Sequence, residues 1–265
     1  MKKVSVVIPC FNQSAYLLDA VYSVMNSTYK NIEVIVVNDG STDKTPDEIS
    51  NLLVPFENII LINQQNSGVC TARNNGINKA SGEYILPLDA DDKIAETYIE
   101  KAISVLENNP DIGIVYCEAE FFGNEKNKKW NLKPATLSNM LVQNRIFPSG
   151  VYRKSKFLEV GGYKKEMELG CEDWELWLSI IETGSKTYQI PETLFFYRKQ
   201  QNERTKRSLK PLNYLKIRLN IIKLHKNLYN KFGIKMYILL GLMVCRNFVV
   251  CFCKYFLDSF KKLCN

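Results

Sequence analysis

Tyr84-Ile85-Leu86-Pro87-Leu88-Asp89-Ala90-Asp91-Asp92 decides how this chain is read. An apolar run from Tyr84 to Leu88 has the form of the end of a buried strand, and three carboxylates follow within four residues. Carboxylates that close repel one another, so the cluster is costly unless a cation joins them. Hard oxygen ligands suit Mg²⁺ or Mn²⁺, which keep waters and share their shell with a substrate phosphate. The competing reading is an acidic turn at the start of a helix near Lys93.

Working outward, the apolar runs recur at the spacing of strands alternating with helices. Val4–Ile8, Ile32–Val37, Ile59–Ile62, Glu83–Leu88 and Ile112–Tyr116 read as strands. Ser14–Met25 with Ser14 as N-cap, a segment starting near Thr42, Ser67–Lys79 and Ile94–Glu107 read as helices. This is the pattern of βαβ units and a mostly parallel sheet. Ligands of such sheets bind beyond the carboxyl ends of the strands. The Cys10-Phe11-Asn12 turn, the Asn38–Asp43 turn and the Asp89–Asp92 turn all fall there. From Phe121 to Ser149 the alternation breaks, with Asn124–Trp130 expected to be a loop. Helix returns at Glu172–Glu182, with Trp174, Trp177, Leu178 and Ile181 at core spacing.

The 265 residues are 46% hydrophobic, enough for one large domain or two small ones and without the composition of a disordered chain. Eight cysteines show no CxxC pair, and a single histidine excludes a zinc constellation, so all eight are expected to be reduced thiols. The N-terminal apolar run is too short for a signal peptide. Charge is unevenly spread. Residues 1–203 carry 21 Lys and Arg against 27 acids, whereas residues 204–265 carry 14 against Asp258 alone. An acidic body with a basic, Leu- and Ile-bearing tail (Leu212, Leu215, Leu219 and Ile222 at helical spacing) predicts a tail that lies on an anionic membrane surface. The apolar stretch 236–257 is interrupted by Arg246 and Lys254, which favours an interfacial helix over a spanning one. No nucleic-acid motif accompanies the basic charge.

Six segments then occur in order: Val4-Ser5-Val6-Val7-Ile8-Pro9-Cys10-Phe11-Asn12, Val36-Val37-Asn38-Asp39-Gly40-Ser41-Thr42-Asp43, Asn66-Ser67-Gly68 with Ala72-Arg73-Asn74-Asn75-Gly76, Leu88-Asp89-Ala90-Asp91-Asp92, Gly161-Gly162-Tyr163, and Glu172-Asp173-Trp174. Together they resemble the family 2 glycosyltransferases of the GT-A fold over residues 3 to about 200. The resemblance implies an α/β architecture, a GT-A catalytic domain over 1–203 and a basic amphipathic helical tail over 204–265. Its nucleotide-sugar half would be about 1–118 and its acceptor half about 119–203.

It also implies roles. Pro9, Phe11, Asn12, Asp39, Arg73, Asp89 and Asp91 would bind a nucleotide-sugar, with Asp39 accepting from the N3–H of a uracil. Asp89 and Asp91 match the DXD motif, with Asp91 on Mn²⁺ or Mg²⁺ and Asp89 on the ribose or a metal-bound water. Asp92 would cap the next helix. Asp173 would be the general base of an inverting transfer, a role an ionised Asp fills at pH 7 without a raised pKa. Glu172 and Trp174 are candidates for acceptor contact. Arg198 and Lys199, where relatives often carry a histidine, are candidates for diphosphate contact. Without a QxxRW signature the chain is expected to be non-processive. The plainer alternatives are an Asx-turn at Asp39, a helix-surface charge at Arg73 and a dipole role for Glu172 and Asp173. The expected enzyme is a cytoplasmic glycosyltransferase, peripheral on the inner face of the membrane, with a glycan or lipid-linked acceptor. A non-catalytic nucleotide-sugar-binding protein and a nucleotidyltransferase are the alternatives.

Overall fold

A computed structural model describes residues 1–53, 58–124, 128–200, 210–233 and 241. They fall into two units, one of residues 1–168 and 172–200, the other of 169–171 with the described residues beyond 200.

The first unit is built on strands whose sequence leaves little choice. β1 (Val4–Cys10) and β2 (Ile32–Asp39) are rich in Val and Ile, and all eight residues of β2 are buried. A strand covered on both faces is what a parallel sheet flanked by helices requires. With β3 (Ile59–Gln64) and β4 (Tyr84–Pro87) they form a parallel set in the order β3-β2-β1-β4. The crossovers carry α1 (Leu17–Met25), α2 (Thr45–Leu53) and α3 (Val69–Lys79). Helix α3 lies close on β1 and β2 because Gly76 has no side chain. A Cβ there would run into Val7 and come within 2.9 Å of Val37.

Beyond β4 the sheet turns mixed. β5 (Lys93–Ile94), α4 (Tyr98–Asn108), β6 (Ile112–Gly123), β7 (Lys128–Trp130), α5 (Leu137–Met140), β8 (Val151–Arg153), α6 (Lys154–Val160), a 3₁₀ turn (Lys165–Met167), α7 (Glu172–Glu182) and β9 (Lys186–Lys199) follow in order. β8 runs antiparallel between β4 and β6, β9 runs parallel to β6, and β5 closes the edge on β9. Most of the paired length is parallel, and the α/β class expected from the sequence holds.

Several boundaries differ from the sequence reading. Ser14–Tyr16 is a turn rather than the start of α1, because Ser14 N–H is held by Asp43 Oδ2 (3.2 Å). No helix starts at Lys93. That segment pairs with Phe195 and Phe196 of β9, and α4 begins at Tyr98. β6 continues seven residues past Tyr116 because β9 lies beside it, and the expected loop contains β7.

A buried polar knot pins the amino ends of the strands. Glu33, 6% exposed, stands in register with Ser5 and accepts from Ser5 Oγ, Ser81 N (2.6 Å), Ser81 Oγ (2.8 Å) and Gly82 N (3.2 Å). Burial pushes its carboxyl up, but the hydrogen bonds from Ser5 and Ser81 outweigh that and hold it below the usual range.

The second unit contains α8 (Pro211–Leu224) and α9 (Lys226–Phe232), joined at the buried His225. The expected apolar stripe is not the buried one. Ile217 and Ile221 are buried one turn apart, whereas Leu212 and Leu219 are 68% and 54% exposed. Arg218 is buried as well, donating to the Tyr214 hydroxyl through Nε (3.0 Å) and Nη2 (2.6 Å). Among the described residues no helix is long and apolar enough to cross a membrane. The stretch expected to lie in the interface, 236–257, falls outside the described residues apart from 241, as do four of the eight cysteines. The other four carry thiols.

Candidate active site

Three turns meet at the carboxyl ends of β1, β2 and β4. After β1, Phe11 is 44% exposed and Asn12 takes a left-handed conformation (φ 53°), a region asparagine tolerates better than most residues. Asn12 Oδ1 accepts from Thr42 N (2.8 Å) and Asn12 N donates to Ser41 Oγ (3.0 Å), so the first two turns are laced together. Pro9 is half-buried within β1, opposite Val37. Asp39 ends β2 and is buried. Its Oδ1 accepts from Gln64 Nε2 (2.8 Å) and Ser67 N (2.8 Å), its Oδ2 from Gly68 N (3.0 Å). Rather than a local Asx-turn, this carboxylate holds the loop that leads into α3.

The third turn carries the DXD residues. Asp92 N donates to Asp89 O (3.0 Å), Asp91 Oδ2 accepts from Gln200 Nε2 (2.6 Å), and Asp92 Oδ1 accepts from Arg198 N (2.8 Å). Asp92 therefore does not cap a helix. It ties the turn to the end of β9, and its buried Oδ2 has no hydrogen-bond partner. Burial and the neighbouring Asp89 push the Asp91 carboxyl up to about 6. Burial, then Asp91 and Asp89, push Asp92 well above the carboxylate range. These are the marks of negative charge gathered where a cation would relieve it. Asp89 and Asp91 supply the hard oxygens that Mg²⁺ or Mn²⁺ takes, so the residues fit such an ion. Among the described residues no group of three or more His, Cys, Asp or Glu converges, so donor phosphates and water would complete the shell.

Arg198, a candidate for diphosphate contact, is tied to the acidic turn itself. Its Nε donates to Asp91 O (2.8 Å), its Nη2 to Asp19 Oδ2 (2.6 Å), and its guanidinium lies over the rings of Tyr16 (4.6 Å) and Phe122 (4.3 Å). It braces the turn from behind. Lys199 rests its ammonium over Phe121, 5.0 Å from the ring centre.

Helix α7 opens with Glu172, Asp173 and Glu175 in its first turn, where carboxylates suit the positive helix end. Asp173, 7% exposed, accepts from Asn144 Nδ2 (2.8 Å). Burial first, and Glu172 second, push its carboxyl up to about 7. A base needs no raised pKa, yet the burial of Asp173 and its neighbour Glu172 supply one. Arg73 is no helix-surface charge either. It is wholly buried in α3, with Nη1 on Glu172 Oε1 (2.5 Å), Nη2 on Asp89 Oδ1 and its guanidinium 5.3 Å from the Tyr163 ring centre. Glu172 is 3% exposed in that ion pair, and Trp174 is 2% exposed with its indole N–H given to Met140 O (2.6 Å). Both are thus committed inside the fold, against their reading as acceptor contacts. Three groups to which the sequence assigned no role join the site: Gln200, Asn144 and Asn74. Asn74 clamps Tyr163 through Nδ2 to Tyr163 O and Tyr163 N to Oδ1, both 2.9 Å. Gly162, at φ 70°, keeps that approach open, since a Cβ would sit 2.8 Å from Asn74 Oδ1.

The chain is 28% identical over 215 residues to an uncharacterized glycosyltransferase of Haemophilus influenzae, covering 76% of this chain and 66% of that protein. It resembles Staphylococcus aureus TarS 1–349 solved with UDP-GlcNAc (TM-score 0.71, 20% identity, 84% of this chain and 66% of that one). It also resembles the mannosyltransferase PcManGT of Pyrobaculum calidifontis solved with GDP-Man and Mn²⁺ (TM-score 0.67, 16% identity, 99% and 80%). Identities this low establish the shared GT-A fold. The chain spans only part of other relatives, 16% of pneumococcal GlyA among them. The sequence profile of "Glycosyl transferase family 2" matches residues 5–162, more than half of the chain and every turn of the donor edge, and with that match the chain belongs to glycosyl transferase family 2.

Proposed function

We propose that this chain is an inverting glycosyltransferase that moves one sugar from a nucleotide donor, a UDP-sugar, to a glycan or lipid-linked glycan acceptor. The observation that carries the reading is Arg73, which joins the Asp89–Asp92 turn to the first turn of α7 and so ties a cation-seeking carboxylate pair to the segment that holds Asp173, whose carboxyl burial pushes up to about 7. Pro9, Phe11, Asn12 and Asp39 frame the nucleotide. Asp39 Oδ2 accepts from Gly68 N, and a carboxylate oxygen can take a second donor, such as the N3–H of a uracil.

A divalent cation held by Asp89 and Asp91 would supply Lewis-acid stabilisation of the departing nucleoside diphosphate. Gln200 and Arg198 keep that turn in shape. Asp173 in its ionised form takes the proton of the acceptor hydroxyl as the oxygen attacks the anomeric carbon. Asn144 aims the carboxylate, and a base with a pKa near the working pH is well matched to that task.

The tail is the membrane-docking part in this reading. Lys216, Lys223, Lys226 and Lys231 are exposed alongside Leu212, Leu219, Leu224 and Phe232, a mixture that suits an anionic interface, each nearby cation adding about 1 kcal/mol. An acceptor anchored in the cytoplasmic leaflet would be presented there.

The test is a melting panel of UDP, GDP, CDP and dTDP, each with and without Mn²⁺. A ligand at about 100 times its Kd stabilises by roughly 2.7 kcal/mol. A UDP shift that needs Mn²⁺ and is lost in Asp91→Ala is the expected result. A shift with GDP alone overturns the uracil reading. No shift in a folded protein overturns the donor site.

A further inference from the structure

Arg73 carries a buried positive charge between two carboxylates that belong to different parts of the chain. Asp89 follows β4, sixteen residues on, and Glu172 opens α7, 99 residues on. Its neighbours on α3 also reach out. Asn74 clamps Tyr163, and Asn75 Nδ2 donates to Gln64 Oε1 (2.7 Å), whose amide in turn donates to Asp39. One short stretch of α3 thus touches the donor edge, the DXD turn and the acceptor helix.

We propose that Arg73 is a positioning residue: its single charge, shared between Asp89 on the donor side and Glu172 on the acceptor side, fixes both carboxylates and leaves Asp173 as the group that exchanges a proton with the acceptor hydroxyl. The inference rests on the reading of Asp173 as the base.

Two adjacent carboxylates in a buried first turn resist being ionised together. Arg73 bonds Glu172 directly and so holds it charged, while Asp173 receives the neutral amide of Asn144. The groups acting on Asp173 are Glu172, which raises its proton affinity, and Arg73, which lowers it; the Tyr163 phenol, pushed up by burial, stays neutral. Two bonds in two directions need the planar fork of a guanidinium, which a lysine ammonium does not reproduce.

The test is a pH titration of the full chain labelled with ¹³C at the aspartate carboxyls, with Asp173→Asn identifying the resonance. Wild type is compared with Glu172→Gln, Arg73→Met and Arg73→Lys. Glu172→Gln keeps an oxygen for Arg73 Nη1, so it remains informative even if Arg73→Met does not fold. The Asp173 midpoint is expected to fall by about one pH unit, tenfold in proton affinity, in Glu172→Gln and to rise in Arg73→Met, with Arg73→Lys between wild type and Met. The acid limb of the transfer rate should move with it. A midpoint unmoved in Glu172→Gln overturns the role of Arg73. A midpoint that moves as expected, in an enzyme whose Asp173→Asn variant still transfers sugar, overturns the base reading instead.

Discussion

Replacing Asp173 by Asn should make the protein more stable and the enzyme nearly inert. The carboxyl is raised from 3.8 to about 7, burial being the larger cause and Glu172 the next. A folded-state pKa above the unfolded value means that the folded chain binds the extra proton. Wild-type stability therefore falls as pH rises from about 4 to about 7 and is flat above. The slope is about 1.4 kcal/mol per pH unit, which accumulates to about 4 kcal/mol by pH 8. Asparagine carries no charge to desolvate and keeps an oxygen for the Asn144 amide. Urea unfolding of both proteins from pH 4 to 8 reads the difference. The curves should separate steadily to pH 7, with the variant the more stable. Transfer should drop by about 10²–10⁴, the usual contribution of a general base. Parallel stability curves would refute the assignment of burial as the cause of the shift, and transfer within a few-fold of wild type would refute the catalytic role.

Further outcomes follow from the same structure. If Asp173 is the base, as proposed, the transfer rate should rise with pH through about 7 and then level off, because only its ionised form takes a proton; a rate independent of pH between 5 and 8 argues against it. Glu33 works in the opposite sense. Its depressed pKa adds stability that is present above about 4.5, the unfolded carboxyl value, and is lost as pH falls through the folded value. Glu33→Gln turns an amide towards Ser81 N and Gly82 N and should lower stability at pH 7 by about 3 kcal/mol, a gap that narrows in acid. Gly76→Ala should cost about 1–3 kcal/mol by pressing a methyl into Val7 and Val37, measured as a lower melting temperature with the nucleotide-binding pattern retained.

The donor half was legible because its signals are local. The β-branched run of β2 and the DXD turn each declare themselves within ten residues, and the strands that follow the periodicity sit where the pattern puts them. What the sequence hid is long-range. β9 has no local mark that distinguishes it, yet its pairing with β6 lengthens that strand, turns the expected helix at Lys93 into β5 and brings Arg198 and Gln200 to the carboxylates. Arg73 looks like any helix cation until Asp89 and Glu172 close over it. The raised pKa of Asp173 comes from burial, which no spacing of residues encodes.

The brace at the end of β9 also orders events in time. Asp91 is hydrogen-bonded by a residue that lies 109 positions later. At about 5–20 residues per second, a ribosome needs roughly 5–20 s to add that stretch. For that interval the acidic turn exists with its local strand but without Gln200 or Arg198. On the proposed function, a nascent chain is thus expected to complete its cation site only after the parallel strands have assembled, which pulse proteolysis of stalled chains with and without Mn²⁺ would detect as protection by the ion arising only once residue 200 has emerged. On the proposed function, synthesis itself would then delay metal and nucleotide capture until α7 is in place to use them.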